Sequence, residues 1–218
     1  MLLHSTTAYT TDRYNFLRKV ENYVDTAYVD SVGVPTIGVG INLRLHQNLV
    51  LQRFGFDLAG TALAGAAAAA EQAYIQQIRT VLNATYAPNA AGTTALQAAL
   101  VPIMTARWNN AIYPNTFTTR RASFAFADEN ESRAIFNNDL MPGYTVPGTV
   151  FKGYETILSD WLTANGINSV VPGLTQRNNR ERIALISYTW QGWIKENKPS
   201  SSPGLAQALR NNDRAEAW

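Results

Sequence analysis

No cysteine occurs anywhere in the 218-residue chain, which excludes disulfides, thiolate catalysis and cysteine-ligated metal while leaving the compartment open. Histidine is nearly absent too. With only His4 and His46, a metal site of ordinary spacing has too few ligands and a Ser-His-Asp triad would need one of two isolated residues, both read here as surface residues. No run of five or six Lys/Arg appears and the net charge is only +2, so a nucleic-acid surface is not expected. No apolar run reaches eighteen residues, so no integral membrane segment is expected. The opening MLLHSTTAYTTDRYNF lacks the basic start and apolar stretch of a secretory signal. The sequence thus predicts synthesis in the cytoplasm without a signal peptide.

What is present is a globular composition, 46% apolar, with enough hydrophobic mass for a core. Tyr14, Leu17, Val20 and Val24 fall at helical spacing and predict a first helix near 11–24, with Thr11 or Asp12 as its N-cap. YVDSVGVPTIGVGINL follows, in which β-branched residues alternate with Gly, Pro, Asp and Ser, the pattern of short strands joined by tight turns. From about 47 to 112 the chain is alanine-rich and reads as helix. A break at 86–92 separates two segments; Thr93 or Thr94 could cap the second, and Pro102 must lie in its first part or kink it.

Further on, FADENESRAIFNNDL places acids at a helix N-terminus. GYETILSDWLTANG is amphipathic, RIALISYTW has the apolar density of a buried central helix, and LAQALRNNDRAEAW predicts a last helix. No repeat or linker is evident. The expectation is one α+β domain, mainly helical, over 1–218: an active-site helix and hairpin at 11–45, an alanine-rich accessory lobe at 46–122 and a helical lobe at 123–218.

Glu21 ends the first predicted helix and Asp30 enters the strand region, so carboxylates from two elements can face one cleft. Such a pair suits glycoside hydrolysis, one acid protonating the leaving oxygen while the other activates water or attacks the sugar. The pair alone is weak evidence, but it sits in E-x8-D-x5-T, at Glu21, Asp30 and Thr36, within D-x-x-G-x-x-T-I-G-V-G from Asp30 to Gly40. That stretch resembles the active-site segment of the phage-type lysozymes, the endolysin family of glycoside hydrolases. GVGINL is too short and wrongly spaced for a phosphate-cradling loop.

The resemblance implies Glu21 as general acid, Asp30 as second carboxylate and Thr36 as the residue holding the attacking water. It implies cleavage of the β-1,4 bond between N-acetylmuramic acid and N-acetylglucosamine, with peptidoglycan as partner and no cofactor. It also places Trp190 and Gln191 at a cleft wall, to contact saccharide and peptide stem. The match is specific over 14–45 and looser over 123–218. Residues 46–122 have no counterpart in it. Where many members carry a histidine after the second glycine of the motif, this chain has Ile41, so a structural His-Asp pair with Asp139 cannot form and Asp139 is read as a helix-surface acid. The chain also stops at Trp218, where the family usually continues through another helix or two.

Two alternatives stand beside the hydrolase: an inactive wall-binding or interaction module with the same fold, and a lytic transglycosylase that uses one acid. A phage endolysin, a tail lysozyme and an antibacterial toxin all fit the sequence. An immunity protein or a delivery machinery is an expected partner for the last, and the site of action would be the wall, in the periplasm or outside the cell.

Overall fold

The structure, a computed structural model, describes residues 5–167, 179–211 and 213. The fold is α+β and mainly helical. Its helices are α1 Thr6–Glu21, α2 Leu43–Arg53, α3 Gly65–Asn83, α4 Ala90–Asn109, α5 Glu129–Ile135, α6 Tyr154–Ala164, α7 Arg180–Trp190 and α8 Pro203–Arg210; α5 runs into a π-helical turn at Phe136–Leu140. Strands β1 Val24–Val29, β2 Pro35–Gly38 and β3 Ile41–Asn42 form an antiparallel sheet in that order, and β4 Tyr144–Val146 pairs with β5 Thr149–Phe151. Among the described residues no helix is long and apolar enough to cross a membrane.

The contacts divide the chain into two compact units. Unit one comprises Met1–Val20, Arg133–Tyr144 and Val150–Trp218; unit two comprises Glu21–Ser132 and Thr145–Thr149. This division does not follow the three segments read from sequence. Residues 46–122 share unit two with the hairpin because their helices complete the sheet. β1 is an edge strand, and its outer backbone groups are met by side chains of α4: Thr93 Oγ1 accepts from the Val29 N–H at 3.0 Å, and Gln97 Nε2 donates to the Ala27 carbonyl at 3.0 Å. Covering an edge in this way removes its capacity for stray pairing.

Several boundaries differ from the sequence expectation. The first helix begins at Thr6, and its cap is Ser5, whose Oγ accepts from the Ala8 N–H at 3.2 Å, instead of Thr11 or Asp12. The earlier start lets Tyr9 and Arg13 join the buried face with Tyr14 and Leu17. α4 is capped by Asn89, whose side chain accepts from the Gly92 N–H, which frees Thr93 for the strand edge. Pro102 lies well inside α4 on an exposed face, where water can reach the Ala98 carbonyl that lost its helical partner. The last helix ends at Arg210; residues 168–178, 212 and 214–218 of the predicted loop and terminal segment lie outside the described residues.

His46 is not a surface residue. It is fully buried at a non-helical kink of α2 (φ −110°, ψ 19°), among core residues Leu43, Leu49 and Leu51, and burial lowers its pKa to about 3. The apolar face of α2 turns inward around it. His4 lies outside the described residues.

Each unit encloses one glutamate. In unit two Glu71 takes Arg107 Nη2 (2.8 Å) and the Asp57 N–H (3.0 Å) on Oε1, and Arg107 Nε (2.9 Å) and the Tyr113 hydroxyl (2.7 Å) on Oε2. Arg107 also lies over the Phe56 ring, 3.8 Å from its centroid. In unit one Glu155 takes the Tyr9 hydroxyl (2.7 Å) and Arg13 Nη1 (2.6 Å) on Oε1 and Arg182 Nε (2.9 Å) on Oε2. All five charged residues are buried, and burial together with the neighbouring carboxylate pushes the hydroxyls of Tyr9 and Tyr113 upward.

Candidate active site

The segment that carries the candidate acids begins where α1 stops. Asn22 adopts a left-handed backbone (φ 65°), which ends the helix at Glu21. The chain then enters β1, and the turn between β1 and β2 is built by Asp30. Its Oδ1 accepts from the N–H groups of Val32 (2.9 Å) and Val34 (2.8 Å), while its own N–H donates to the Val34 carbonyl at 3.0 Å. This is an aspartate closing a loop through its side chain.

Gly33 makes the turn with φ +83°, and a Cβ there would meet the Tyr86 carbonyl oxygen at 2.8 Å. Arg44 secures the same turn from α2 by donating Nη2 to the carbonyls of Gly33 (3.3 Å) and Ala84 (2.8 Å). At the far end of β2, Gly38 has φ +67°, and a Cβ would press on Ser132 Oγ at 2.6 Å and the Phe126 ring at 2.9 Å. The glycines of the motif are therefore demanded by conformation and close packing.

Register brings the polar side chains together. Tyr28 pairs with Thr36, and Thr36 with Asn42, so the three side chains stand on one face of the sheet. The half-buried Tyr28 hydroxyl is raised to about 12, first by burial and then by the charges of Glu21 and Asp30. Glu21 precedes β1 and Asp30 follows it, so the two carboxylates flank the strand that carries Tyr28. Both are partly exposed. Tyr28 was not singled out by sequence reasoning, although its place two residues before Asp30 in an alternating strand was the available signal.

Thr36 is 3% exposed, and its hydroxyl donates to the Val34 carbonyl at 3.0 Å. The proton of Oγ1 is committed, and the oxygen retains acceptor capacity.

Trp190, Gln191 and Asp139 belong to unit one. Trp190 is the last residue of α7, half-buried, with its ring 5.3 Å from that of Phe136 and 5.0 Å from that of Tyr154. It is a member of an aromatic cluster. Gln191 is the exposed C-cap of α7, its N–H directed to the carbonyls of Ser187 and Thr189. Asp139 lies in the π-helical turn and is half-buried, not a fully exposed surface acid; its charge, after burial, helps raise Tyr144. Ile41 is fully buried in β3. Among the described residues no group of His, Cys, Asp and Glu is arranged to hold a metal ion.

No protein-family model, no curated protein and no solved structure matches this chain.

Proposed function

We propose that the protein is a glycoside hydrolase acting on bacterial peptidoglycan at the β-1,4 bond between N-acetylmuramic acid and N-acetylglucosamine. The observation that carries this reading is the placing of two partly exposed carboxylates on either side of one strand, Glu21 at the end of α1 and Asp30 in the turn after β1, because a pair of carboxylates is what acid-base cleavage of a glycosidic bond needs. The choice of sugar rests on the resemblance of the Glu21–Thr36 stretch to the phage-type lysozymes.

In this reading Glu21 protonates the departing oxygen. Asp30 polarises a water that also donates to Thr36 Oγ1, and that water attacks the anomeric carbon from the opposite side. A water between sugar and carboxylate needs a separation of about 6.5–9.5 Å between the two carboxyl groups and inverts the anomeric centre, whereas direct attack by Asp30 needs about 5–5.5 Å and retains it. We assign the inverting course. Proton NMR of the newly released reducing end, read before mutarotation, then shows the α-anomer first; β-anomer at the earliest time point makes Asp30 a nucleophile.

One observation favours a second reading. The two backbone bonds to Asp30 Oδ1 give that residue a structural task sufficient to explain its presence, as a one-acid lytic transglycosylase would allow. Mass spectrometry of digested wall separates the two, since hydrolysis leaves reducing muramic-acid ends and transglycosylation leaves anhydro ends.

A further inference from the structure

The loop that follows α7 presents an aromatic ring and two cations around a cavity. Trp193 is 62% exposed, although the residue after it, Ile194, is buried. Its surroundings are fixed. The Trp193 N–H donates to the Tyr188 carbonyl at 2.9 Å, and Ser202 Oγ donates to the Trp193 carbonyl at 2.9 Å. From α6, Trp161 Nε1 donates to the Ser201 carbonyl and Asn165 Nδ2 to the Pro199 carbonyl, each at 2.9 Å. Exposure of the ring therefore comes from a loop tied down at both ends, and not from a loosely held segment.

Beside Trp193 is an open cavity of about 400 Å³ lined by Lys195, Lys198, Ser200, Ser201 and Ser202, with no acidic residue among its walls. Lys195 and Lys198 form an isolated antiparallel bridge across a tight turn, where Asn197 is left-handed (φ 56°). The fold thus places two like charges opposite each other, an arrangement that is unfavourable by itself. Lys195 and Lys198 also border a second cavity, whose wall includes Glu196 and Asp160; Asp160 is paired with Lys152, and neither acid lines the cavity beside Trp193. A ligand that adds negative charge between the lysines relieves the repulsion.

We infer that this cavity is a binding subsite for an anionic saccharide, with Trp193 as the ring platform, Lys195 and Lys198 as the partners of a carboxylate, and the serine hydroxyls as hydrogen-bond donors and acceptors. An indole face takes the apolar face of a pyranose, and paired ammonium groups attract the acidic substituent. The inference rests on the wall-hydrolase reading for its natural ligand, the muramic-acid sugar with its lactyl carboxylate. Its chemistry is independent of Glu21.

The test uses the Glu21→Gln chain, so that no turnover occurs, with the tryptophan indole N–H signals followed by ¹⁵N NMR and the Trp193 peak identified by its loss in Trp193→Ala. Three probes are titrated: N-acetylglucosaminyl-N-acetylmuramic acid, neutral chitobiose and sodium acetate. The acidic disaccharide should shift the Trp193 peak saturably, with an affinity about tenfold above that of chitobiose and about tenfold above its own affinity for Lys195→Gln/Lys198→Gln. Acetate should leave the peak in place.

An unmoved Trp193 peak, equal affinities for the two disaccharides, or an unchanged affinity in the double variant overturns the subsite. An equal shift with acetate reduces it to simple ion binding and overturns it as well. Lysis by the wild-type chain with an unmoved Trp193 removes only the subsite, whereas a saturable Trp193 shift without lysis removes only the hydrolase reading.

Discussion

Glu71 and Glu155 are buried and held by guanidinium and phenol donors, whereas Glu21 and Asp30 flank β1 and stand partly exposed. The same functional group serves two ends. A carboxylate with all its acceptor positions filled by buried donors cannot reach a substrate or exchange a proton with it, and its contribution is to fix helices against one another. A partly exposed carboxylate keeps a side open to solvent even where, as at Asp30, one oxygen closes a turn. Stability and the proposed activity thus fall to different carboxylates, and each variant below either breaks or sharpens that separation.

The largest effects on stability are expected at the enclosed acids. Glu71→Gln leaves Arg107 buried beside a neutral amide, and Glu155→Gln does the same to Arg13 and Arg182. Breaking a buried pair from one side costs about 3–5 kcal/mol, so both variants should unfold at clearly lower urea than wild type, Glu155→Gln by at least as much as Glu71→Gln. A midpoint within error of wild type for either would show that its clamp is ornamental to the fold.

His46 comes next. Its folded pKa, about 3, lies below its ordinary 6.5, so the unfolded chain binds the extra proton between these values. The stability it contributes is fully present above about 6.5 and is lost as pH falls toward about 3, with a slope of at most about 1.4 kcal/mol per pH unit. Urea unfolding of wild type and His46→Gln across this range should show a slope that the variant lacks. Parallel curves would place the acid sensitivity elsewhere.

Gly38→Ala should cost about 1–3 kcal/mol, from overpacking against Ser132 and Phe126 and the left-handed backbone. It tests whether the hairpin tolerates strain at the end opposite Asp30. Thermal unfolding with the lysis rate measured on the same sample shows whether the loss is confined to stability.

Asp30→Asn should change stability least. The amide oxygen can still accept from the N–H groups of Val32 and Val34, so the turn keeps its bonds while the proposed general base is gone. A stable, inactive Asp30→Asn supports the hydrolase, and a stable, fully active one supports the one-acid reading.

Much of the hairpin was legible because its chemistry is local. Asp30, Gly33 and Gly38 lie in a stretch where β-branched residues alternate with Gly, Pro, Asp and Ser, the pattern of strands joined by tight turns, and Glu21 sits at a helix end that Asn22 enforces from the next position. The clamps depend on long-range packing, and the sequence carries only an indirect signal for them. Glu71 interrupts the apolar series Ala67, Ile75, Ile78 and Leu82 on the buried face of α3, and Arg107 extends Leu96, Leu100 and Met104 on α4. A charged residue in an apolar helical register, on each of two helices, predicts a buried pair. The start of α1 is hidden for a related reason: Arg13 reads as a surface residue until Glu155, 142 positions away in sequence, is placed against it.

The most direct test of the central claim is a muropeptide digest by wild type and Glu21→Gln, with both proteins first shown to be folded by circular dichroism. Glu21 is assigned as the proton donor, so the account predicts reducing muramic-acid ends with wild type and no soluble muropeptides above background with Glu21→Gln. Release of the same products at the wild-type rate by the folded variant would contradict it.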